Sequence, residues 1–206
     1  SDCAKGLLQV LHTPSPLLFF DPEKQVALLE AELQLSLAPQ QREAVLRTLT
    51  SGALVITGGP GTGKTTILRF ILRIVQDMGL SCELCAPTGR AAKRMTEATG
   101  VPARTIHRLL EYGYGGEGFL RNEENPVETD LIIVDEMSMV DVPLMHALLR
   151  AVSPSTRLLM VGDSDQLPPV GAGNVLRDII ESGAVAVRRL AGVFRRAEGG
   201  MIVENT

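Results

Sequence analysis

The sequence lacks any apolar run long enough to cross a membrane. Its longest apolar stretches are interrupted by Arg, Gly or Pro, whereas a spanning helix needs about 20 consecutive apolar residues. The N-terminus also lacks the secretory pattern of a charged start, an apolar core and a small-residue cleavage site. We therefore expect a soluble protein of the cytoplasm.

Cysteine is scarce, at three residues in 206. Cys82 and Cys85 have the spacing of a redox or zinc half-site, but the sequence has no second Cys or His pair to complete a metal shell. Because SCELC is typical of a strand, residues three apart in it face opposite sides of the sheet. We expect buried free thiols.

A general excess of basic residues is also missing. Twenty Lys and Arg accompany 24 Asp and Glu, so the net charge is −4 and gives no overall attraction for nucleic acid. One local exception lies between Thr88 and Arg108, where the single acid is Glu97. Charge alone favours a solvated helix face there, with a nucleic-acid contact as the alternative. The basic residues of this stretch are Arg90, Lys93, Arg94, Arg104 and Arg108.

The length and a hydrophobic content of 45% allow one full core with a small appended segment. Five apolar runs of strand length are continuous rather than alternating, which is typical of strands covered by helices on both faces. They predict a three-layer α/β domain with a mostly parallel sheet. The runs are residues 53 to 57, 82 to 86, 131 to 135, 157 to 161 and 184 to 190.

Amphipathic or capped segments between these runs predict the helices. Residues 1 to 36 are expected to form a helical segment ahead of the domain, in which Asp21 and Pro22 begin a helix. The main domain is expected over residues 37 to 206. Its predicted helices are residues 39 to 50, 64 to 78, 89 to 98, 104 to 111, 142 to 150 and 174 to 182.

The segment GGPGTGKTT carries the strongest chemical signal. It satisfies the pattern G-x-x-x-x-G-K-[ST] between a predicted buried strand and a predicted helix. Backbone N–H groups and the helix N-terminus then converge on phosphates, which predicts binding of ATP with Mg²⁺. Lys64 would supply charge to the β and γ phosphates, and the Thr65 hydroxyl would reach Mg²⁺. The predicted nucleotide-binding residues here are Gly58, Gly59, Pro60, Gly61, Thr62, Gly63, Lys64, Thr65 and Thr66.

Two acids, Asp135 and Glu136, end the predicted strand LIIVD. Ligands of open α/β sheets bind beyond the carboxyl ends of the strands, so we expect these acids in the same crevice as the phosphate loop. We assign Mg²⁺ coordination through water to Asp135 and polarisation of the attacking water to Glu136. The alternative is that these acids cap a helix.

A third polar segment, MVGDSDQLPPVGAG, follows the next predicted strand. It delivers Asp163 and Gln166 to the same edge of the sheet. Spacing alone leaves open a structural alternative, in which a turn leads into a stiff Pro-Pro segment.

The order and wording of these segments resemble the RecD-type DNA helicases of superfamily 1B. A lone phosphate loop would be weak support, whereas seven motifs in order over residues 20 to 206 are specific. LAPQQREAV resembles the Q motif, GGPGTGKTT motif I, APTGRAAKRM motif Ia, TIHRLLEY motif Ib, VDEMSMVD motif II, GDSDQLPPVGAGNVLRD motif III and LAGVFRRAEG the start of motif IV.

The resemblance implies a P-loop, RecA-like motor domain, the first of two in a monomeric enzyme that couples ATP hydrolysis to 5′ to 3′ movement on single-stranded DNA. Gln41 would read the adenine, Gln166 would sense the γ-phosphate, and Arg195 would also reach that phosphate. Motifs V and VI would lie on a second domain absent here, so this chain should bind ATP but hydrolyse it very slowly. The implied DNA path is lined by Thr88, Gly89, Arg90, Thr105 and His107.

Residues 112 to 126 are rich in glycine and turn formers, and they predict a short hairpin with its turn at Gly115 and Gly116. The resemblance implies that this hairpin is the pin that splits the duplex in front of the motor. The alternative is a plain surface loop.

Two positions depart from the family pattern. Met137 follows the two acids where a small residue is common, which questions the local packing. Arg196 follows the motif IV arginine where Gln is frequent, which questions the polar contacts around Arg195. Two other functions stay open: a non-catalytic module that binds nucleotide and single strand, and a related RNA or relaxase-linked helicase.

Overall fold

A computed structural model describes residues 21 to 163, 165, 174 to 191, 193 to 196 and 202 to 205, and the last two ranges are described for their backbone alone. None of the helices in these ranges has the length and apolar content that a membrane span requires. The helices are α1 (Pro22–Leu33), α2 (Pro39–Thr50), α3 (Lys64–Asp77), α4 (Gly89–Thr99), α5 (Ile106–Leu109), α6 (Val142–Ala151) and α7 (Val175–Ser182).

Six strands form one sheet in the order β3-β2-β6-β7-β1-β8, and every neighbouring pair is parallel. Two further antiparallel pairs, β4 with β5 and β9 with β10, lie outside this sheet. The strands are β1 (Ala53–Thr57), β2 (Cys82–Ala86), β3 (Ala103–Thr105), β4 (Tyr112–Gly113), β5 (Gly118–Phe119), β6 (Leu131–Val134), β7 (Arg157–Gly162), β8 (Ala186–Arg189), β9 (Val193–Arg196) and β10 (Ile202–Asn205).

Successive residues of the central strands enter two different cores. In β1, Val55 packs in one core while Leu54 and Ile56 pack in the other. The first core lies between the sheet and α5, α6 and α7, and the second lies between the sheet and α1, α2 and α3. Strands buried on both faces need apolar residues at every position, which explains the continuous runs. The three-layer α/β fold with a parallel sheet is confirmed.

Helix α1 begins where the sequence predicts. The Asp21 side chain accepts a hydrogen bond from the backbone N–H of Lys24 at 3.2 Å, and Pro22 occupies the first turn. Val26 and Leu29 are buried in the second core, so α1 packs with α2 and α3. Residues 1 to 20 of the predicted N-terminal segment lie outside the described residues.

The prediction of a helix over residues 104 to 111 is partly wrong. The segment Ala103–Thr105 is a strand that pairs with β2, and only the short helix α5 follows it. The open edge of β2 supplies backbone partners to this segment, and that long-range pairing overrides the local helical pattern. Smaller differences are that β6 ends at Val134 and that β8 is shorter than its apolar run.

The cysteines of β2 are free thiols. Cys85 is fully buried, whereas Cys82 is half-buried, so burial is confirmed in full for Cys85 only. Burial raises the pKa of Cys82 to about 12 and also raises the pKa of Cys85. Burial therefore favours the protonated thiol at both positions. Cys3 lies outside the described residues.

Candidate functional site

The predicted motifs meet at one edge of the sheet, where its parallel strands end. Strands β2 and β3 end level, because Ala86 pairs with Thr105, and so do β1 and β7, because Thr57 pairs with Gly162. Strand β6 ends slightly earlier, since its last residue, Val134, pairs with Cys85 and Met160. Across this edge in the order of the strands lie motif Ib after β3, motif Ia after β2, motif II after β6, motif III after β7 and the phosphate loop after β1. The motif II acids thus lie between the proposed DNA residues and the phosphate loop.

The phosphate loop joins β1 to α3. Gly61 and Gly63 have φ values of +75° and +84°, which glycine adopts without steric cost. The Thr62 hydroxyl donates to the carbonyl of Gly59 at 2.7 Å, and the Lys64 ammonium donates to the carbonyl of Gly58 at 2.6 Å. The ammonium group therefore lies across the loop, close to the backbone that would surround a phosphate.

A side chain at the start of the loop would not fit. A Cβ atom added at Gly58 would lie 2.7 Å from the Thr62 hydroxyl oxygen and 3.0 Å from Cβ of Leu190. Leu190 is held there because its backbone N–H donates to the Thr57 carbonyl at 2.8 Å. The side of the loop that faces Leu190 is thus tightly packed, while Pro60, Gly61 and Thr65 are exposed to solvent on the opposite, outer side. This arrangement fits a phosphate chain bound from the outer side.

The two acids of motif II form one unit after β6. Asp135 donates its backbone N–H to the Cys85 carbonyl at 3.0 Å, and Oδ1 of Asp135 accepts from the backbone N–H of Glu136 at 2.8 Å. Burial raises the pKa of Asp135, and three effects oppose that rise: the hydrogen bond from Glu136 and the charges of Lys64 and Arg94. The charge of the phosphate-loop lysine therefore reaches the proposed Mg²⁺ ligand.

Glu136 has an uncommon backbone conformation for a residue other than glycine, with φ of +54°. It precedes the short 3₁₀ turn Met137–Met139, but its side chain makes no capping hydrogen bond to that turn. The alternative in which the two acids cap a helix is therefore not supported for Glu136. Its carboxylate instead faces Arg94 of α4, at 3.7 Å between Oε1 and Nη2. Local sequence patterns give no signal for this pair.

The unusual Met137 is accommodated by a glycine on the neighbouring strand. Met137 is fully buried, and a Cβ atom added at Gly162 would lie 3.1 Å from its Cβ and 3.0 Å from Cδ2 of Leu176. Gly162 thus leaves the room that the larger methionine needs. The local packing after the motif II acids is intact despite the departure from the family pattern.

Motif III is described at residues 162, 163 and 165 and again at residues 174 to 178, where α7 begins. Asp163 follows β7 and is buried, and its Oδ1 accepts the backbone N–H of Asp165 at 3.0 Å. Its Oδ2 would lie 3.8 Å from a Cβ atom at Gly59, so this acid is next to the phosphate loop. Gln166 lies outside the described residues.

In motif IV, Leu190 and Ala191 are fully described, and residues 193 to 196 are described for their backbone alone. Arg195 and Arg196 belong to β9, which pairs with β10 in antiparallel fashion. Their side chains lie outside the described residues, so the predicted contact of Arg195 with the γ-phosphate stays a prediction.

Gln41 of the Q motif also has a structural role that the sequence does not predict. Gln41 is only 3% exposed, and its Oε1 accepts the backbone N–H of Ala38 at 3.0 Å, which helps to cap α2. The preceding Gln40 is exposed, and its Oε1 accepts the backbone N–H of Ala191 at 3.1 Å. Gln40 therefore ties α2 to the chain after β8, beside the base of the phosphate loop.

The two threonines of the implied DNA path cap helices. The Thr88 hydroxyl oxygen accepts from the backbone N–H of Ala91 at 3.2 Å at the start of α4. The Thr105 hydroxyl oxygen accepts from the backbone N–H of Arg108 at 3.1 Å at the start of α5. Each hydroxyl thus has a structural role, which Thr at a predicted helix start could have signalled. Gly89 and Arg90 are exposed at the start of α4.

His107 belongs to a partly exposed aromatic cluster at the base of the hairpin, in which Phe119 packs against the first core. Its ring centroid lies 5.6 Å from those of Tyr112 and Phe119, which face each other across the two short strands. Tyr114 is fully exposed in the turn of the hairpin. Strands β4 and β5 pair in antiparallel fashion around this turn, so the predicted hairpin is present.

The rest of the hairpin segment is fastened to the domain. Arg121 donates to the Glu111 carboxylate at 2.6 Å, and Arg150 of α6 binds the Glu123 carboxylate at 2.8 and 2.9 Å through two nitrogens. The pKa of Glu123 is lowered to about 2, mainly because of the hydrogen bond from Arg150. The Arg121–Glu111 pair thus joins the two sides of the hairpin, and the Glu123–Arg150 pair joins the segment to α6.

The parallel three-layer fold with this phosphate loop defines a P-loop nucleoside triphosphatase domain. The AAA domain family matches residues 41 to 172, and the chain belongs to this family as a RecD-type motor domain of superfamily 1. It is 46% identical over 166 residues to the ATP-dependent RecD2 DNA helicase of Deinococcus radiodurans, an alignment that covers 80% of this chain and 23% of that protein.

A second relative supports the same subgroup. The chain is 41% identical over 166 residues to the RecBCD enzyme subunit RecD of Mycolicibacterium smegmatis, an alignment that covers 69% of this chain and 30% of that protein. The chain therefore spans only 23 to 30% of the length of these two relatives.

Solved structures share the fold. The Pif1 helicase of Candida albicans superposes with a TM-score of 0.59 at 26% identity, over 79% of this chain and 41% of that one. A Pif1 helicase from Bacteroides, in complex with ADP-AlF3 and single-stranded DNA, superposes with a TM-score of 0.51 at 22% identity, over 80% and 44% of the two chains. At that identity the second likeness shows the fold alone.

Proposed function

We propose that this chain is the ATP-binding motor domain of an ATP-dependent DNA helicase that moves 5′ to 3′ on single-stranded DNA. The observation that carries the proposal is the order of motifs along one sheet edge, where the motif II acids separate the phosphate loop from the start of α4. Such an arrangement lets one conformational step act on nucleotide and strand together.

The loop residues fit a nucleotide with Mg²⁺. Backbone N–H groups of residues 58 to 66 would surround the phosphates, and Lys64 is already directed over the loop. Thr65 and Asp135 would hold Mg²⁺, which supplies charge neutralisation at the phosphates. Two oxygen ligands from the protein suffice, because Mg²⁺ in such sites keeps waters and phosphate oxygens as its other ligands. Gln41 is proposed to read the adenine through its amide group.

Glu136 is proposed to polarise the attacking water. The water oxygen bonds to the γ-phosphorus as the bond from that phosphorus to the β–γ bridging oxygen breaks, and Glu136 takes the water proton. Asp135 accepts the backbone N–H of Glu136, which fixes the backbone that carries this carboxylate. Gln166 and Arg195 are proposed to contact the γ-phosphate.

The proposed DNA path runs over the starts of α4 and α5. Gly89 offers open space, since nothing lies within 4 Å of a Cβ atom added there, and exposed Arg90 offers a charge for a phosphate. Thr88 and Thr105 are proposed to contribute mainly by fixing the two helix starts. His107 is proposed to line the path as well, and residues 112 to 126 are proposed to act as the pin.

The names of the relatives support DNA rather than RNA as the track. They include a DNA helicase and a subunit of the RecBCD enzyme, which suggests a cytoplasmic role in DNA repair and recombination. A monomer is proposed for this chain by itself. A related RNA or relaxase-linked helicase is the second candidate, and a non-catalytic binding module is the third.

Phosphate release tests the proposal and separates the candidates. We expect the full-length protein to hydrolyse ATP with strong stimulation by a single-stranded DNA oligonucleotide and weak stimulation by the RNA of the same sequence. Residues 1 to 206 alone should be at least about 10³-fold slower than the DNA-saturated full-length protein, because this chain spans only 23 to 30% of the length of its relatives and an arginine contributed by the remainder would account for that factor. Preference for RNA would favour the second candidate, and full-length protein without turnover would favour the third.

A further inference from the structure

One helix connects the proposed DNA contact with the proposed catalytic glutamate. Helix α4 begins next to Thr88, and its residue Arg94 reaches motif II, where Nη2 lies 3.7 Å from Oε1 of Glu136. Arg90 and Arg94 are four residues apart, so they occupy adjacent places on one face of the helix. A DNA phosphate that contacts Arg90 therefore lies within reach of Arg94.

Helix α4 is held firmly by its other face. Ala91, Ala92 and Met95 are buried, and the Thr96 hydroxyl oxygen accepts the backbone N–H of Ala103 from the neighbouring strand. At its C-terminal end, the carbonyl of Ala98 accepts from Nε of Arg69 on α3, the helix that follows the phosphate loop. Side chains on the exposed face can therefore exchange partners while the helix stays in place.

The ion pair between Arg94 and Glu136 is loose, whereas the backbone of Glu136 is well fixed. The side chains of Arg94 and Glu136 are 62% and 26% exposed, and they share one contact longer than a hydrogen bond. The backbone of Glu136 is held by Asp135 Oδ1 and by the N–H that Met139 donates to its carbonyl at 3.0 Å. A residue that aligned this carboxylate permanently would be buried and bidentate. The observed pair suits an interaction that forms and breaks.

We propose that Arg94 restrains the carboxylate of Glu136 in the absence of DNA, and that a DNA phosphate at the start of α4 displaces Glu136 from Arg94. This inference rests on the proposed function, in which Glu136 takes the proton of the attacking water. A carboxylate oxygen that faces a guanidinium is less available to that water. When single-stranded DNA binds, its phosphate thus replaces the Glu136 carboxylate as the partner of Arg94. The released carboxylate can then take the proton of the attacking water.

The exchange predicts a specific change in the stimulation of ATP hydrolysis by DNA. In the full-length protein, Arg94→Gln should raise the DNA-free kcat by about two- to fivefold, since an exposed ion pair shifts an equilibrium by no more than that. The DNA-saturated kcat and the KM for ATP should change little, so the stimulation ratio falls. Arg94→Lys should keep most of the ratio, and Arg94→Glu should lower it further. The matched control is Arg47→Gln, an exposed arginine on α2.

The outcomes distinguish the restraint from the function on which it rests. If Lys64→Ala and Glu136→Gln leave the ATP turnover of the full-length protein unchanged, the proposed function fails. If both abolish turnover but Arg94→Gln leaves the DNA-free kcat unchanged or lowers it, the restraint is wrong and the function stands. A rise in DNA-free kcat that Glu136→Gln abolishes in the double variant would support the restraint directly.

Discussion

Oδ1 of Asp135 accepts the backbone N–H of Glu136 at 2.8 Å, so the carboxylate of Asp135 is fixed against the backbone of Glu136, and we propose different tasks for the two acids. Asp135 is more buried and feels the charge of Lys64, as a ligand for Mg²⁺ beside the phosphates would. Glu136, with its positive φ, projects a partly exposed carboxylate toward α4. Substitutions at the two positions should therefore affect different steps.

Glu136→Gln in the full-length protein should preserve ATP affinity and lower DNA-stimulated turnover by about 10² to 10⁴-fold, because the amide cannot take the proton of water. Calorimetry gives the affinity and phosphate release gives the turnover. Glu128→Gln, which changes an exposed acid outside the motifs, is the control and should retain both. Near-normal turnover of Glu136→Gln would mean that another residue positions the water.

Asp135→Asn should raise the stability of the nucleotide-free protein. It should also weaken the increase in ATP affinity that Mg²⁺ produces. Burial raises the pKa of Asp135, so the ionised form opposes folding above that pKa, and the cost disappears as pH falls through the ordinary range of an aspartate. The thermal midpoint should rise at about pH 8, and the gain should shrink toward about pH 4. The side-chain oxygen of Asn at this position can still accept the hydrogen bond from the backbone N–H of Glu136.

The same variant tests the Mg²⁺ assignment. ATP affinity of the unsubstituted protein should increase when Mg²⁺ is added, whereas that of Asp135→Asn should respond weakly. A full Mg²⁺ response in the variant, or a loss of stability at about pH 8, would contradict the role given to this acid.

Arg90→Glu should weaken binding of single-stranded DNA and flatten its salt dependence. Each neutralised phosphate contributes about −0.7 to the slope of log affinity against log salt, so loss of one contact should reduce the slope by roughly that amount. Fluorescence anisotropy over a series of salt concentrations measures it. Arg47→Glu, a charge reversal on exposed α2, is the control. An unchanged slope in Arg90→Glu would make the basic stretch a solvated helix face.

Most of the sheet could be predicted because its strands are buried on both faces. The runs ALVIT and CELCA coincide with β1 and β2, because all of ALVIT and the last three residues of CELCA are buried in the sheet. The edge strand Ala103–Thr105 was missed because it is short and only partly buried, so its sequence carries no such signal. This strand forms because it pairs with β2, and local sequence patterns do not report a pairing between residues so far apart in the chain.

The phosphate loop was predictable, whereas the contacts between motifs were not. GGPGTGKTT needs glycine where the backbone has positive φ, and that requirement is written in the sequence. The pairing of Arg94 with Glu136 depends instead on the meeting of α4 and the end of β6, and on the positive φ of Glu136. No residue pattern along the chain encodes that meeting.

The central claim, that the loop before α3 binds ATP, is tested most directly by calorimetric titration of Lys64→Ala with Mg·ATP. Removing a charge-assisted contact worth roughly 1.5 to 3 kcal/mol should weaken affinity about 10- to 150-fold. Lys24→Ala, at an exposed lysine on α1, should bind as the unsubstituted protein does. Equal ATP affinity in Lys64→Ala and the unsubstituted protein would contradict the account.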